Sequence, residues 1–221
     1  MTVRSAIHRY LDPGETLAEV LFGLIMVLGI TLTAGLSAGA GPDGVRQLLQ
    51  AAVGCNIAWG IIDGIMFVMS GMTERAEKVN IIHAVQRAPN AEVALGIVRS
   101  ELEKHLDAIT DSGQREALSR SVVEYIAGSK APKIDATRDD FYGAIACFWL
   151  VFLSCLPAAL PFLFFSDPRF ALRVSNVLLI AMLFFVGFAW AHYAHRNRLV
   201  VGLVMVAIGL TLVGIAALLG G

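Results

Sequence analysis

Five long apolar runs limit what this 221-residue chain can fold into more than any other feature. Spanning the hydrocarbon core of a bilayer as a helix takes about 20 apolar residues. Only 16% of the residues are charged, against about 25% in a typical soluble domain. The sequence therefore predicts an all-α integral membrane protein with five transmembrane helices, at approximately 16–38, 48–72, 141–165, 171–193 and 199–219.

The positions of Lys and Arg predict how the helices are oriented. Of the 17 basic residues, 14 fall in the N-terminal segment, between Arg75 and Arg138, or just before the last run, and three fall in the opposite flanks. Short loops rich in Lys and Arg stay on the cytoplasmic side. We therefore expect the N-terminus and residues 73–138 inside, and the C-terminus outside.

This pattern divides the chain into three parts: 1–72 with the first two spans, 73–138 as a helical cytoplasmic module, and 139–221 with spans three to five. The module shows helical periodicity, for example in "PNAEVALGIVRSELEKHLDAI", and three helices are predicted within it. In the third span, Pro157 and Pro161 are expected to break the helix near its end.

Several classes of function are disfavoured by the sequence. A net charge of −1 argues against a nucleic-acid partner. The three cysteines form no CxxC pair, which argues against a disulfide framework or a thiolate metal site and favours buried apolar thiols. No nucleotide-binding loop, nucleophile elbow or HExxH motif is present. We expect neither an enzyme nor a permanently bound cofactor.

The stretch "CNIAWGIIDGIMFVMSGM" places a carboxylate, Asp63, inside the second apolar run. Intramembrane acids usually face a partner or a water-filled path. At helical spacing, one face holds Asn56, Trp59 or Gly60, Asp63, Met66 or Phe67, and Ser70. Carboxylate with thioether sulfur suits a borderline transition metal. A cation or proton path is one interpretation; a packing seam with Asp63 hydrogen-bonded to a neighbouring helix is the other.

Other polar side chains lie at or within the spans. Glu15 and Glu19 stand one turn apart at the start of the first run, where two carboxylates repel unless a cation or proton lies between them. Glu15 also fits a capping role after Asp12, while Glu19 favours cation entry. Asn176 is the amide of the fourth run and is placed to meet Asp63 across helices.

Glu74 and Glu77 begin the cytoplasmic module at a spacing that puts both on one helix face. Such a pair can hold a metal ion, but it also occurs on solvated helices. Arg75 and Lys78 stand among the two acids, which favours a solvated surface.

The order of parts, together with "EVLFGLIMVLGIT", "FLSCLPAALPFLFF" and "LVGLVMVAIGLTLVGIAALLGG", resembles the vacuolar iron transporter (VIT) family and its bacterial relatives. The resemblance implies a homodimer in a bacterial cytoplasmic membrane that exports Fe²⁺ or Mn²⁺ in exchange for protons. It places Glu19 on the family's entry acid, and Met66 or Met69 on its thioether in span two. Where the family has an Asp-Gly in span one, this chain reads Met26-Val27, and Asp63 would replace the acid.

The resulting hypothesis is a divalent-metal exporter coupled to protons. The alternative is a membrane scaffold that does not transport and whose cytoplasmic helices recruit a partner. In the exporter, Glu19, Asp63 and Met66 should face one shared cavity. In the scaffold, Asp63 should sit in a closed hydrogen bond.

Overall fold

A computed structural model describes residues 12–36 and 42–218, and within them the chain is helical with no strand. Eight helices follow one another: α1 (Pro13–Leu36), α2 (Pro42–Gln86), α3 (Ala91–Leu106), α4 (Ser112–Gly128), α5 (Arg138–Ala159), α6 (Pro161–Phe164), α7 (Pro168–Tyr193) and α8 (Arg198–Leu218).

Five stretches of helix are long and apolar enough to cross a membrane, which confirms the predicted number of spans. They are Pro13–Leu32, Arg46–Gln86, Arg138–Phe164, Pro168–Tyr193 and Arg198–Ile215. The second reaches beyond residues 48–72 because α2 continues without a break past Met72 to Gln86, and this continuation is the first of the three helices predicted within residues 73–138. Which ends face the cytoplasm stays a prediction.

Contacts divide the chain into two compact units. The first, here the membrane unit, comprises the residues up to Val68 and from Arg138 onward; the second, here the helical unit, is Met69–Thr137. The boundary falls inside α2, which contributes to both.

Helix α1 lies at the centre of the membrane unit and contacts α5, α7 and α8. Leu24, Val27 and Leu28 of α1 are fully buried and pack with Leu179 and Leu183 of α7. Of the pair that replaces the resembled family's Asp-Gly, Met26 stands at the acid's position and is half-buried, while Val27 belongs to this apolar core.

The third span is interrupted at Leu160, between α5 and α6. Pro157 lies within α5 and Pro161 begins α6, so only the second proline coincides with the break. Proline has no N–H to donate to the preceding turn, and that turn's carbonyls need other donors. Ser175 Oγ of α7 supplies one, donating to the Ala158 carbonyl oxygen over 2.8 Å in a buried position.

Helices α2 and α5 approach closely along a seam of small residues. A Cβ added at Gly60 would lie 3.1 Å from the Phe148 carbonyl oxygen, and one at Gly64 would lie 3.0 Å from that of Ala144. On the other side of the seam, a Cβ added at Gly143 would overlap the Phe67 ring. Small residues let helix backbones approach within a membrane, so the seam fixes how α2 lies against α5.

The helical unit is built from the end of α2 with α3 and α4. Its core is Val85, Ala94, Val98 and Ile126. The other two of the three helices predicted within this segment are present as α3 and α4. The Asn90 side chain accepts from Val93 N to cap α3, and Asp111 forms a capping box with Gln114 to begin α4. Gln86 Nε2 donates to the carbonyl oxygens of Ile126 and Ser129, which ties α2 to the end of α4.

Candidate functional site

Two acids from different spans meet inside the membrane unit. The carboxyl groups of Glu19 on α1 and Asp63 on α2 lie within hydrogen-bonding range of each other, and the Cys147 thiol of α5 lies within range of Glu19. Cys147 is fully buried, and both acids are half-buried. We call Glu19 and Asp63 the acid pair. Two carboxylates at this separation repel strongly, so a proton or a cation must lie between them.

Glu15 has a structural role at the start of α1. The Asp12 backbone N–H donates to Glu15 Oε2 over 3.0 Å, and the Asp12 carbonyl accepts from Thr16 N. In a capping box, the side chain of the third helical residue accepts a hydrogen bond from the backbone N–H of the cap residue. Glu15 accepts this bond from Asp12, which supports the capping interpretation of Glu15. Its carboxylate is exposed one turn before Glu19 and interacts electrostatically with it, so it adds negative charge at the approach to the acid pair.

A second polar group lies one turn further along α1, around Gly23. A Cβ added at Gly23 would overlap Ser154 Oγ and would lie 2.8 Å from the Val151 carbonyl oxygen and 3.1 Å from Asn56 Oδ1. We call these three atoms the oxygen cluster. The cluster needs a glycine at position 23, since any side chain there would occupy the space into which the oxygens point.

Asn56 is fully buried, although it is an amide inside a membrane span. Its Nδ2 donates to the Ala52 carbonyl of the preceding turn over 3.0 Å, while its Oδ1 has no hydrogen-bond partner within the described protein. The same is true of Glu19 Oε2 and Asp63 Oδ2. Leaving a buried acceptor unpaired costs about 1–3 kcal/mol. Three such acceptors, two in the acid pair and one in the oxygen cluster, indicate places that receive a proton, water or an ion.

The acid pair and the oxygen cluster are both made by the same three helices. On α2 and α5, the step from one to the other is seven residues, from Asp63 to Asn56 and from Cys147 to Ser154. At about 1.5 Å per residue this is a distance of roughly 10 Å along the helix axes. A line of polar side chains therefore follows the meeting of α1, α2 and α5 through part of the bilayer.

Side chains of His, Cys, Asp and Glu alone do not complete the ligand set of a metal ion at the acid pair. Within residues 12–36 and 42–218, no group of three or more His, Cys, Asp or Glu side chains is arranged to hold a metal ion. Two carboxyl groups and a thiol come together, but the remaining ligands of a cation there would have to be neutral oxygens or water.

The predicted thioether ligands do not join this site. Met66 is 56% exposed and Met69 is 62% exposed, on the outer surface of α2. The face of α2 that turns inward contains Asn56, Gly60 and Phe67 instead. Met66 therefore does not face α5 in the single chain, and the expectation that it shares a cavity with Glu19 and Asp63 stays a prediction for an assembly in which this surface of α2 is covered.

The other residues predicted from the sequence are Asn176, Glu74 and Glu77. Asn176 of α7 is half-buried with an unpaired Oδ1. Glu74 forms an exposed ion pair with Lys78 over 2.7 Å, and Glu77 is exposed. This fits the solvated-surface interpretation of the helical unit's acids. The Lys78 ammonium partly neutralises the Glu74 carboxylate, so Glu74 attracts a metal ion less strongly.

Cys147 and Ser154 are site residues that sequence reasoning missed, and Cys147 was interpreted only as a small apolar residue. A signal for both exists in the stripe Gly143, Cys147, Val151 and Ser154, which are all buried on one face of α5. The spacing marks the face that α5 turns toward α1 and α2, and it places the thiol and the hydroxyl there.

No protein-family model matches the chain, and no curated protein matches its sequence. The functional argument therefore depends on the geometry of the acid pair and the oxygen cluster.

Proposed function

We propose that this protein exports a divalent transition-metal cation, Fe²⁺ or Mn²⁺, from the cytosol in exchange for protons. One observation carries the proposal: Glu19 and Asp63, on two helices long and apolar enough to span a membrane, lie within hydrogen-bonding range beside the thiol of Cys147. An acid pair inside a bilayer is costly to keep unless it serves ion or proton movement.

The chemistry of exchange follows from the separation of the two carboxyl groups. With one proton shared between them the pair has a charge of −1, and with both ionised it has a charge of −2. A dication that binds the ionised pair neutralises it and displaces the shared proton. When the cation leaves, a proton must return to relieve the repulsion. Binding of the cation and binding of the proton are thus mutually exclusive, which is the requirement for exchange.

The sulfur atom supports the choice of cation. Hard cations such as Mg²⁺ and Ca²⁺ prefer sites made only of oxygen, whereas sulfur ligands favour softer first-row transition metals. Cys147 lies next to Glu19, and in the proposal it supplies the sulfur that was expected from Met66. The selectivity is for this class of metal over Mg²⁺.

The oxygen cluster provides the next position along the path. Glu15 attracts the cation at the start of α1, the acid pair binds it, and the neutral oxygens of Asn56, Ser154 and Val151 receive it roughly 10 Å beyond, along α2 and α5. A neutral site holds a dication more weakly than two carboxylates do, so the ion can leave toward the far side.

The homodimer expected from the family resemblance is part of the proposal. The outer surface of α2 presents a contiguous apolar stripe: Ile61, Ile62, Ile65, Met66 and Met69. Lipid can cover this stripe as well as a second copy can, since lipid tails are as apolar as these side chains. In a dimer formed through it, the two methionines would lie at the interface. The mass of the protein in detergent micelles, measured by light scattering, tests the dimer.

The test of transport is metal uptake into proteoliposomes that contain a metal-quenched dye and a pH-sensitive dye. Wild type is compared with Glu19→Gln, Asp63→Asn and Cys147→Ser, with Glu103→Gln, an exposed acid of the helical unit, as the control. We expect Mn²⁺ flux with opposite proton movement in wild type and control, abolished in the two acid variants. For Cys147→Ser we expect flux with weaker discrimination against Mg²⁺.

Absence of flux for Mn²⁺ and Fe²⁺ in a folded wild-type protein would refute the exporter. It would favour the membrane scaffold, in which the acid pair is a hydrogen bond that holds α1 against α2. Flux that persists in Asp63→Asn would remove the acid pair from the mechanism.

A further inference from the structure

A lateral groove opens on the membrane unit, away from the acid pair and the oxygen cluster. It encloses about 740 Å³ between the first half of α2 and the turn that joins α6 to α7. Val53 and Ile57 form one wall, and Phe162 and Phe165 form the other. Arg46 and Gln50 stand at the end where α2 begins.

The groove has the dimensions of one lipid in one leaflet. From Arg46 to Ile57, α2 rises about 16 Å at roughly 1.5 Å per residue. Half the hydrocarbon thickness of a bilayer is about 15 Å. A cationic side chain thus stands near the interface, and the apolar walls extend from it to about the bilayer midplane. An acyl chain fits the walls when its headgroup lies beside Arg46.

The charge of the groove lining determines which lipid headgroup the groove favours. Among the described residues that line the groove, Arg46 is the one charged side chain, and none is acidic. A guanidinium binds phosphate oxygens with paired hydrogen bonds, and Gln50 adds an amide donor next to it. A basic residue near the membrane surface attracts a net-negative headgroup over a zwitterionic one.

We propose that this lateral groove binds one anionic phospholipid, with its phosphate on Arg46 and one acyl chain between α2 and the α6–α7 turn. The site lies on the α2 side of the interruption at Leu160. A bound lipid fills the space left where the third span stops being a straight helix. The proposal is independent of metal transport, and its failure would leave the acid pair untouched.

Two variants test the contact with the headgroup and the space for the acyl chain separately. Arg46→Gln removes the charge, and Arg173→Gln, an exposed Arg of α7 outside the groove, is the matched control. Gly54→Leu places a side chain in the groove, because Gly54 lines it and a Cβ added there meets nothing within 4 Å. Leucine also favours helix over glycine, so this variant should fold at least as well as wild type.

The experiment is native mass spectrometry of the full chain released from detergent with equimolar phosphatidylglycerol and phosphatidylcholine. We expect one retained lipid, with phosphatidylglycerol preferred about fivefold, as one basic residue near the surface provides. The preference should fall to about one in Arg46→Gln and persist in Arg173→Gln, and Gly54→Leu should lose the retained lipid of either kind. An unchanged preference in Arg46→Gln, or undiminished retention in Gly54→Leu with wild-type thermal stability, would overturn the proposal.

Discussion

The carboxyl groups of Glu19 and Asp63 face each other across the contact between α1 and α2, within hydrogen-bonding range and with one oxygen of each left without a partner. A purely structural hydrogen bond between two helices would use groups that satisfy each other, such as a serine and a carbonyl. Two acids satisfy each other only by sharing a proton, and they stop doing so when it leaves. The contact is therefore suited to exchange.

Binding of a metal to the acid pair should release protons even without transport. We expect up to two protons per bound Mn²⁺ to appear in weakly buffered solution when the purified protein is titrated, one from the acid pair and one from the Cys147 thiol, because ligands must be deprotonated to bind a metal. Asp63→Asn should release none, since it removes one of the two carboxylates that bind the cation. A pH-indicator dye in the metal titration measures it; equal release in Asp63→Asn would place the binding elsewhere.

Filling the space at Gly23 should damage the oxygen cluster. In Gly23→Ala, the new methyl group overlaps Ser154 Oγ and crowds the Val151 carbonyl, and overpacking of this kind costs about 1–3 kcal/mol. Gly29→Ala on the same helix, where an added Cβ meets nothing within 4 Å, should be neutral or stabilising. Thermal unfolding in detergent compares the two.

A second substitution tests whether the overlap at Gly23 is the cause. Ser154→Ala removes the Oγ that the new methyl group meets, so it should restore part of the stability lost in Gly23→Ala. Equal unfolding temperatures of Gly23→Ala and Gly29→Ala would mean that α1, α2 and α5 are further apart around Gly23 than the distances from an added Cβ indicate.

The sequence predicted the five spans well because hydropathy over about 20 residues is a strong signal. It also predicted the helices of the helical unit, where Asn90 and Asp111 stand at the cap positions. It placed Asp63 and Asn56 on one face of α2, but helical spacing alone left Gly60 or Trp59, and Phe67 or Met66, as equal members of that face. The structure selects Gly60 and Phe67.

The reason for that selection is tertiary. The inward face of α2 is chosen by the close approach of Gly60 and Gly64 to α5, and a single sequence does not say which helix a small-residue stripe will meet. For the same reason Cys147 could not be assigned to the acid pair: its neighbours on α1 and α2 are 128 and 84 positions away in the chain. Helical periodicity carries no information over such separations.

Removing the hydroxyl of Ser175 should loosen the interrupted third span. Ser175→Ala leaves the Ala158 carbonyl without its 2.8 Å donor from α7, and hydrogen bonds between membrane helices contribute roughly 0.6–2 kcal/mol. Thr211→Ala is the control, because that hydroxyl donates to Ala207 within its own helix at an exposed position. The loss should appear as a lower unfolding temperature in Ser175→Ala alone; equal losses in both would mean that the bond from α7 has no special role.

Acid should weaken the contact between α3 and α4 in the helical unit. The Arg99 guanidinium, which hydrogen-bonds Glu116, holds the pKa of that carboxyl below its ordinary value of 4.5. A folded-state pKa below the unfolded value means that the stabilisation is fully present above the unfolded pKa and is lost as pH falls through the folded value. Because both groups are partly exposed, the effect is small and should be screened by salt.

Hydrogen exchange of the full chain in detergent measures this contact between α3 and α4. From pH 5 downward to pH 3, after correction for the intrinsic rate, protection in 91–128 should decline more in wild type than in Glu116→Gln, which has no carboxylate to lose. The matched control is Glu103→Gln, an exposed acid on α3, which should keep the wild-type profile. A wild-type profile in Glu116→Gln as well would show that the pair with Arg99 does not stabilise the unit and that its acid sensitivity arises from other carboxylates.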